Sequence, residues 1–378
     1  MSAKLAVMSE AVVVSFARTP VADAFKGSLA QTPIVELGKI AIAEALKRSG
    51  VSADDVDDVV MGEVLQGGGD LARYVAIDLG LPPDTPGVAM NRQCGSGLQA
   101  VNAAAASIKA GMDKVVIAGG LESMTHTVSG FIPDSHPETP DAPTRNMGVT
   151  VGENTADACN ITREEMDAWA YQSHMRAIAA IDAGRFADEI VPVEVDGGLF
   201  DTDEHPRRNT SLEKLASLPA IFKEGGRVTA GNSSSLNDGA AALVIVDGEY
   251  AKAHGLEPLA TIRSWACAGV PPRDTGIAPS IAIPRALERA GLTTADVKLA
   301  EINEAFASMA VACTRLLGFS PEIVNVDGGA VGIGHPVAAS GARILGHLVM
   351  ELRRRGGGPG VASLCAGGGM GIATVIEV

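Results

Sequence analysis

Two stretches far apart in this 378-residue chain match each other, and the match restricts the fold more than any other feature. Residues 45–63, "ALKRSGVSADDVDDVVMGE", align without a gap on residues 286–304, "ALERAGLTTADVKLAEINE", at an offset of 241. Each reads as a helix ending at glycine (Gly50, Gly291), then a capped acidic turn, then a short apolar strand. The same offset carries Cys94 onto His335. "CGSGLQAV" and "HPVAASGARIL" each predict a helix opened by a reactive residue and small residues, with Pro336 suited to the first helical position. "KVVIAGGLESM" matches "VASLCAGGGMG", which sets Ile117 opposite Cys365 at an offset of 248. Two copies of one α/β unit thus carry Cys94, His335 and Cys365 on loops at matching edges. Packing about a pseudo-two-fold axis is expected to bring those edges to one site.

Cys94 lies between a strand-like "PGVAM" and a run in which Leu98, Val101, Ile108 and Met112 have helical spacing. A helix N-terminus favours thiolate, and Gly95 and Gly97 leave room beside the sulfur. On this stretch alone, a small buried core residue is the commoner reading. The five cysteines are odd in number and scattered, with no C-x-x-C pair, which argues against a disulfide framework and a zinc site. A cysteine and a histidine that meet suffice for acyl transfer: the imidazole takes the thiol proton and the thiolate attacks a carbonyl. A second cysteine adds an acid/base group. Backbone N–H groups of "CAGGGMG" (365–371) and of the Cys94 helix start, with Asn303 of "EINEAF", are candidates to stabilise charge on a substrate oxygen. "GGGMGIATVIEV" runs into a strand and "GIGHPV" lacks a third glycine, so neither is a dinucleotide fingerprint. His126, His136, His174, His205, His254 and His347 show no partner pattern and read as surface or packing residues.

A hydrophobic content of 46% in a chain this long supports two or three domains with real cores. The net charge of −15 makes nucleic acid an unsuitable partner. Residues 205–227 depart from it: Arg207, Arg208, Lys214, Lys223 and Arg227 face only Glu213 and Glu224. That island suits a small phosphorylated ligand or an ordinary solvated helix face. It belongs to an insert between the copies, residues 121–236, with a proline-rich loop "FIPDSHPETPDAPTRNMG" and a helix opened by the capping box "TREE" at Thr162. The insert reads as a lid or ligand-binding unit. "MSAKLAVMSEAVVVSF" is a poor signal peptide, no window holds 18 uninterrupted apolar residues, and "VIEV" is not a peroxisomal address. A soluble cytoplasmic protein without membrane insertion is expected.

Together, "NRQCGSGLQAV", "AGGLESM", "GRFADEIVPV", "TAGNSSSLNDGAAA", "INEAFA", "NVDGGAVGIGHPVAASGAR" and "LCAGGGMGIA" make the chain resemble the thiolases (acetyl-CoA C-acetyltransferase and 3-ketoacyl-CoA thiolase) over essentially its whole length. The resemblance implies a thiolase-like α/β fold, with two duplicated halves packed as a layered αβαβα sandwich. Residues 1–120, completed by about 237–256, would form one half and 257–378 the other, with 121–236 as the inserted loop domain. It further implies that Cys94 is acylated, that His335 activates it, and that Cys365 is the acid/base for the Cα proton. One oxyanion hole would comprise Asn303, through a water, with His335, and the other the N–H groups of Cys94 and Gly367. Coenzyme A would be a co-substrate, with no tightly bound cofactor and no metal. Arg207 would lie near its adenine nucleotide, Leu218, Phe222 and Ala230 along its path, and Ser234 near the pantetheine. A homodimer or homotetramer is implied too. Four positions depart from the family pattern: Ala338 and Ser235 replace glycine, and Asn146 and Thr275 stand where biosynthetic members tend to carry histidine and methionine. Ala338 would displace the helix start at His335, and Thr275 would open the acyl pocket. A decarboxylating ketosynthase of the same superfamily would need a second histidine near "INEAF" or lack the terminal cysteine. A non-catalytic acyl-CoA or lipid binder would be expected to have lost a catalytic residue, and all four types are intact.

Overall fold

The computed structural model describes residues 9–128 and 136–378. Its strands are β1 (Ala11–Arg18), β2 (Ala22–Asp23), β3 (Asp58–Gly62), β4 (Gly87–Met90), β5 (Val115–Ser123), β6 (Val193–Val195), β7 (Gly198–Phe200), β8 (Asn237–Asp247), β9 (Ala260–Gly269), β10 (Leu299–Ile302), β11 (Pro359–Ala366) and β12 (Met370–Glu377). Its helices are α1 (Ile34–Ser49), α2 (Leu71–Asp78), α3 (Ser96–Lys109), α4 (Asn154–Ala158), α5 (Arg163–Asp182), α6 (Leu212–Ala216), α7 (Gly248–His254), α8 (Ala278–Arg289), α9 (Ala307–Leu317), α10 (Ala330–Ile333) and α11 (Ser340–Arg354).

The main sheet runs β10-β11-β12-β9-β1-β8-β5-β3-β4, with β2 paired to β8. Outward from β9 lie β12, β11 and β10, and outward from β1 lie β8, β5 and β3. The repeat seen in the sequence is therefore a repeat in space. A short seam joins the half-sheets, Val12 opposite Thr261 and Val13 opposite Ala260. Helices α3 and α11 touch each other and strands of both half-sheets, whereas α1 packs on β1, β5 and β8 and α8 packs on β9, β11 and β12. The layers are α1, half-sheet, α3 with α11, half-sheet, α8, an αβαβα sandwich. Strands covered on both faces must be apolar on both. Along β8, Leu243 and Ile245 join the central core while Val244 and Val246 join the one under α1.

Local signals set the elements. α1 ends at Gly50 with φ +70°, the left-handed conformation that costs glycine least. Gly291 repeats this after α8 with φ +73°. The turns that follow are capped by Ser52 and by Thr293 with Asp296. At α5 the Thr162 hydroxyl accepts from Glu165 N–H and the Glu165 carboxylate accepts from Thr162 N–H, satisfying two otherwise orphaned donors. In the central layer, a Cβ on Gly97 would lie 2.5 Å from the Ala338 carbonyl oxygen, and one on Gly341 2.4 Å from Leu98 N. The start of each helix thus touches the other's backbone.

Two local expectations need correction. Met112 lies beyond the end of α3 and is 78% exposed, because the helix stops at Lys109 before the turn at Gly111. Pro336 does not open α11. Its carbonyl accepts from Ala339 and Ser340 N–H in a preceding turn, and the helix begins at Ser340. Residues 131–135 of the proline-rich loop lie outside the described residues.

Candidate active site

Cys94 sits two residues before α3, His335 five before α11, and Cys365 one residue from the end of β11. All three line a 230 Å³ cavity together with Gly367, Phe222, Ser234, Ser235, Asn146, Met124, Met147 and Val337. Larger depressions lie elsewhere, including a 710 Å³ groove lined by Trp169, Met175 and Phe319, but no cysteine or histidine lines that one.

Cys94 is partly accessible. Burial pushes its thiol up to about 11, against the pull of the Cys94 and Gly367 backbone N–H groups that face the sulfur, with the Glu122 charge adding to the rise. The thiolate expected from the helix start is therefore not the resting species: desolvation outweighs the donors. Cys365 is 1% exposed, its Sγ 3.4 Å from Met309 Sδ, and burial first and then Cys94 raise its thiol well above the ordinary value.

His335 is held at three points. Its backbone N–H donates to Asn237 Oδ1 at 2.8 Å, its Nδ1 lies 2.6 Å from Ser340 Oγ, and its Nε2 lies 3.4 Å from Asn303 Nδ2. Ser340 has one hydroxyl proton and donates it to the Pro336 carbonyl at 2.9 Å, so its oxygen accepts from Nδ1–H. That assignment leaves the lone pair on Nε2, where Asn303 donates. Burial lowers the imidazole to about 3, with Arg343 adding to the effect, so His335 is neutral near pH 7. Among the described residues Asn303 Oδ1 is buried without a hydrogen-bond partner, and it can accept from a bridging water.

Several residues that support the site went unassigned in the sequence. Asn237 also accepts from Ser235 Oγ at 2.7 Å and donates to the Ala22 carbonyl at 3.0 Å, linking the Ser235 departure to the His335 backbone. Glu122 accepts from Ala338 N–H at 3.1 Å and from Leu65 N–H and Gln66 Nε2, and burial raises it to about 7. Ala338 itself is fully buried, its carbonyl against Gly120 and Gly97. Asn237 and Glu122 fall inside quoted motifs; the signal was present, but their partners lie 98 and 216 residues away. Thr275 corrects an expectation. It is fully buried and does not line the cavity, because its hydroxyl donates to the Pro272 carbonyl at 2.5 Å and accepts from Gly369 N–H at 3.0 Å.

Of the residues expected along a ligand path, Phe222 and Ser234 line the cysteine cavity. Arg207 and Leu218 line a second, 210 Å³ cavity with His174, Lys214 and Gly231. Ala230 is exposed and lines neither, but residues 231–235 run from one cavity to the other. The basic island is less basic than its count. Arg208 pairs with Asp182, and Lys223 and Arg227 both pair with Asp157. Arg207 and Lys214 have no ion pair among the described residues. Two of the other histidines have carboxylate partners that the sequence did not show: His347 lies between Glu189 and Asp327, and His205 binds Asp23. Among the described residues no group of three His, Cys, Asp or Glu side chains is arranged to hold a metal, and no helix is long and apolar enough to cross a membrane.

Known proteins resemble this chain over nearly its whole length. Residues 11–249 match the family model "Thiolase, N-terminal domain" and residues 256–378 match "Thiolase, C-terminal domain". The chain is 43% identical to an acetyl-CoA acetyltransferase of Syntrophomonas wolfei, covering 97% of this chain and 99% of that one. It is 45% identical to the acetyl-CoA acetyltransferase of Cupriavidus necator, covering 98% and 100%. Among solved structures, Bacillus anthracis acetyl-CoA acetyltransferase superposes with a TM-score of 0.92 at 41% identity, covering 98% of this chain and 99% of that one. Human mitochondrial 3-ketoacyl-CoA thiolase in complex with CoA superposes with a TM-score of 0.90 at 40% identity, with the same coverage. Sheet order, duplicated halves and near-complete alignment agree: the chain belongs to the thiolase family.

Proposed function

We propose that this acyltransferase cleaves 3-ketoacyl-CoA with CoA, or condenses two acyl-CoAs in reverse, through an acyl group carried on Cys94. His335 Nε2 takes the Cys94 proton as the sulfur adds to the 3-keto carbon. The C2–C3 bond then breaks, Cys365 protonates C2, and acetyl-CoA departs. The CoA thiol restores the Cys365 proton and its sulfur attacks the acyl-cysteine. Cys94 leaves as thiolate and recovers its proton from His335. Thiol and imidazole both rest neutral, so the Cys94 proton has to move to His335 within the catalytic cycle. The Cys94 and Gly367 N–H groups, and Asn303 with His335, stabilise the oxyanions.

One observation carries this reading: Cys94, His335 and Cys365 line a single cavity, with the Gly367 N–H on the Cys94 sulfur. CoA would place its phosphates by Arg207 and Lys214 and run its pantetheine along 231–235, with Leu218, Phe222, Ala230 and Ser234 beside it. In this assignment 1–120 with about 237–256, and 257–378, form the catalytic halves and 121–236 carries CoA. A role in fatty acid metabolism in the cytoplasm fits that chemistry. Tyr74, Ile77 and Val88 are exposed beside the edge strand β4, which suits a homodimer or homotetramer.

The test follows CoA-dependent loss of 3-ketoacyl-CoA enolate absorbance over a panel from acetoacetyl-CoA to long chains. Turnover is expected in the native protein. Cys94→Ala is expected to abolish it while CoA binding stays measurable by calorimetry. Turnover retained in that variant contradicts the nucleophile.

A further inference from the structure

The loop that carries Gly367 is Gly367-Gly368-Gly369, between β11 and β12. Ala366 pairs with Met370 at its base, and Gly368 and Gly369 have φ of +88° and +80°. Three successive glycines have the widest backbone freedom a chain can have, so the loop supplies little rigidity of its own. An oxyanion donor works only when fixed before charge develops. Something outside the loop has to fix it.

Two contacts do so, both on Gly369. Its carbonyl accepts from Val270 N–H at 2.8 Å, and its N–H donates to Thr275 Oγ1 at 3.0 Å. Val270 follows the end of β9, and Thr275 lies in the 3₁₀ turn Pro272–Ile277 before α8. Thr275 is fully buried, and its own proton is committed to the Pro272 carbonyl at 2.5 Å, which leaves the oxygen lone pairs for Gly369. A Cβ on Gly369 would sit 2.2 Å from the Val270 carbonyl oxygen, so the loop is pressed against this segment.

We propose that Thr275 is a positioning residue for the transfer reaction. Its hydroxyl clamps Gly369 and thereby holds the Gly367 N–H on the Cys94 sulfur and on the oxyanion that forms beside it. A methionine here, as the family pattern would have it, has no hydroxyl to accept from Gly369. The proposal rests on Gly367 being an oxyanion donor, and its tests separate the two ideas.

Thr275→Val keeps the shape and removes the hydroxyl, while Thr275→Ser keeps the hydroxyl. Thr275→Val is expected to lower kcat by roughly ten-fold or more, with KM for CoA little changed, since the clamp acts on the oxyanion and not on CoA. It should also slow alkylation of Cys94 by iodoacetamide at fixed pH, because a donor to the sulfur is loosened. Thr275→Ser should restore both. Equal impairment of the two variants, or no effect of Thr275→Val on kcat and alkylation, overturns the proposal. Hydrogen exchange of the native protein, resolved to single residues across 365–371, adds a readout independent of any variant's folding. Protection of the Gly369 amide supports the clamp, and free exchange overturns it. If the clamp is found in exchange and alkylation while Cys94→Ala still turns over, the catalytic reading fails and the clamp stands.

Discussion

At the residue scale, environment overrides local sequence. Cys94 has the helix start, small neighbours and donors that ordinarily lower a thiol, yet burial holds it up near 11. The pH dependence follows from the sign. Alkylation of Cys94 in the unliganded protein should be slow at pH 8 compared with a free thiol of pKa about 8.5, and should rise about ten-fold per pH unit through pH 10. Iodoacetamide labelling followed by mass spectrometry of the Cys94 peptide measures this. A plateau near pH 8 would show a thiolate already formed, and would return the explanation to the helix dipole. A second expectation concerns His335. Ser340→Ala removes the acceptor that fixes its tautomer and leaves Nδ1–H buried without a partner, so kcat should fall about ten-fold to a hundred-fold. Circular dichroism should show the fold intact, and Ser340→Thr should recover most of the rate.

At the element scale, legibility depended on how far apart in the chain the partners lie. The helix, glycine, capped turn and strand of 45–63 and 286–304 are written in neighbouring residues, and they form as read. The offset that links Cys94 to His335 was legible because a duplication leaves the same spacing twice. His347 was not legible. It lies on α11, and its partners come from three other places: Glu189 after α5, Asp327 before α10 and Glu301 on β10; two cations share the surroundings, Arg18 of β1, which pairs with the same Glu189, and Arg343 one turn earlier on α11, near Glu301. Its Nδ1 meets Glu189 at 2.6 Å, 158 residues away, and no local pattern records that. Neighbouring carboxylates hold the imidazole above its ordinary value despite burial. The pair ties Glu189, in the segment after α5, to α11 in the central helix layer. His347→Ala removes one partner of a buried charge, and should destabilise the protein by about 3 kcal/mol in urea unfolding near pH 6. A folded-state value above 6.5 means that this contribution is complete below pH 6.5 and fades as pH rises through the folded value. The gap between native and variant should therefore narrow at alkaline pH. A gap that is constant from pH 6 to 10 would point to lost packing instead.

At the scale of the whole molecule, the site exists because two halves of one repeat meet back to back. Cys94 enters from the first half and His335 with Cys365 from the second, so their spacing is set by how closely α3 and α11 approach. Two glycines set that approach, Gly97 against Ala338 and Ala342, and Gly341 against Leu98. Gly341→Ala would force the helix starts apart, at a cost of about 1–3 kcal/mol, and would move the two reactive side chains relative to each other. Gly111 supplies the control. It follows α3 with φ +72° and open space around it, so Gly111→Ala should cost about 1–2 kcal/mol from backbone strain alone. The two variants should then have comparable stability in urea and differ in turnover. Gly341→Ala should lose an order of magnitude or more in kcat, since displacements near 1 Å are enough for that, whereas Gly111→Ala should keep the native rate. Equal kcat in both would mean that the α3–α11 contact holds the fold without setting the geometry of the site.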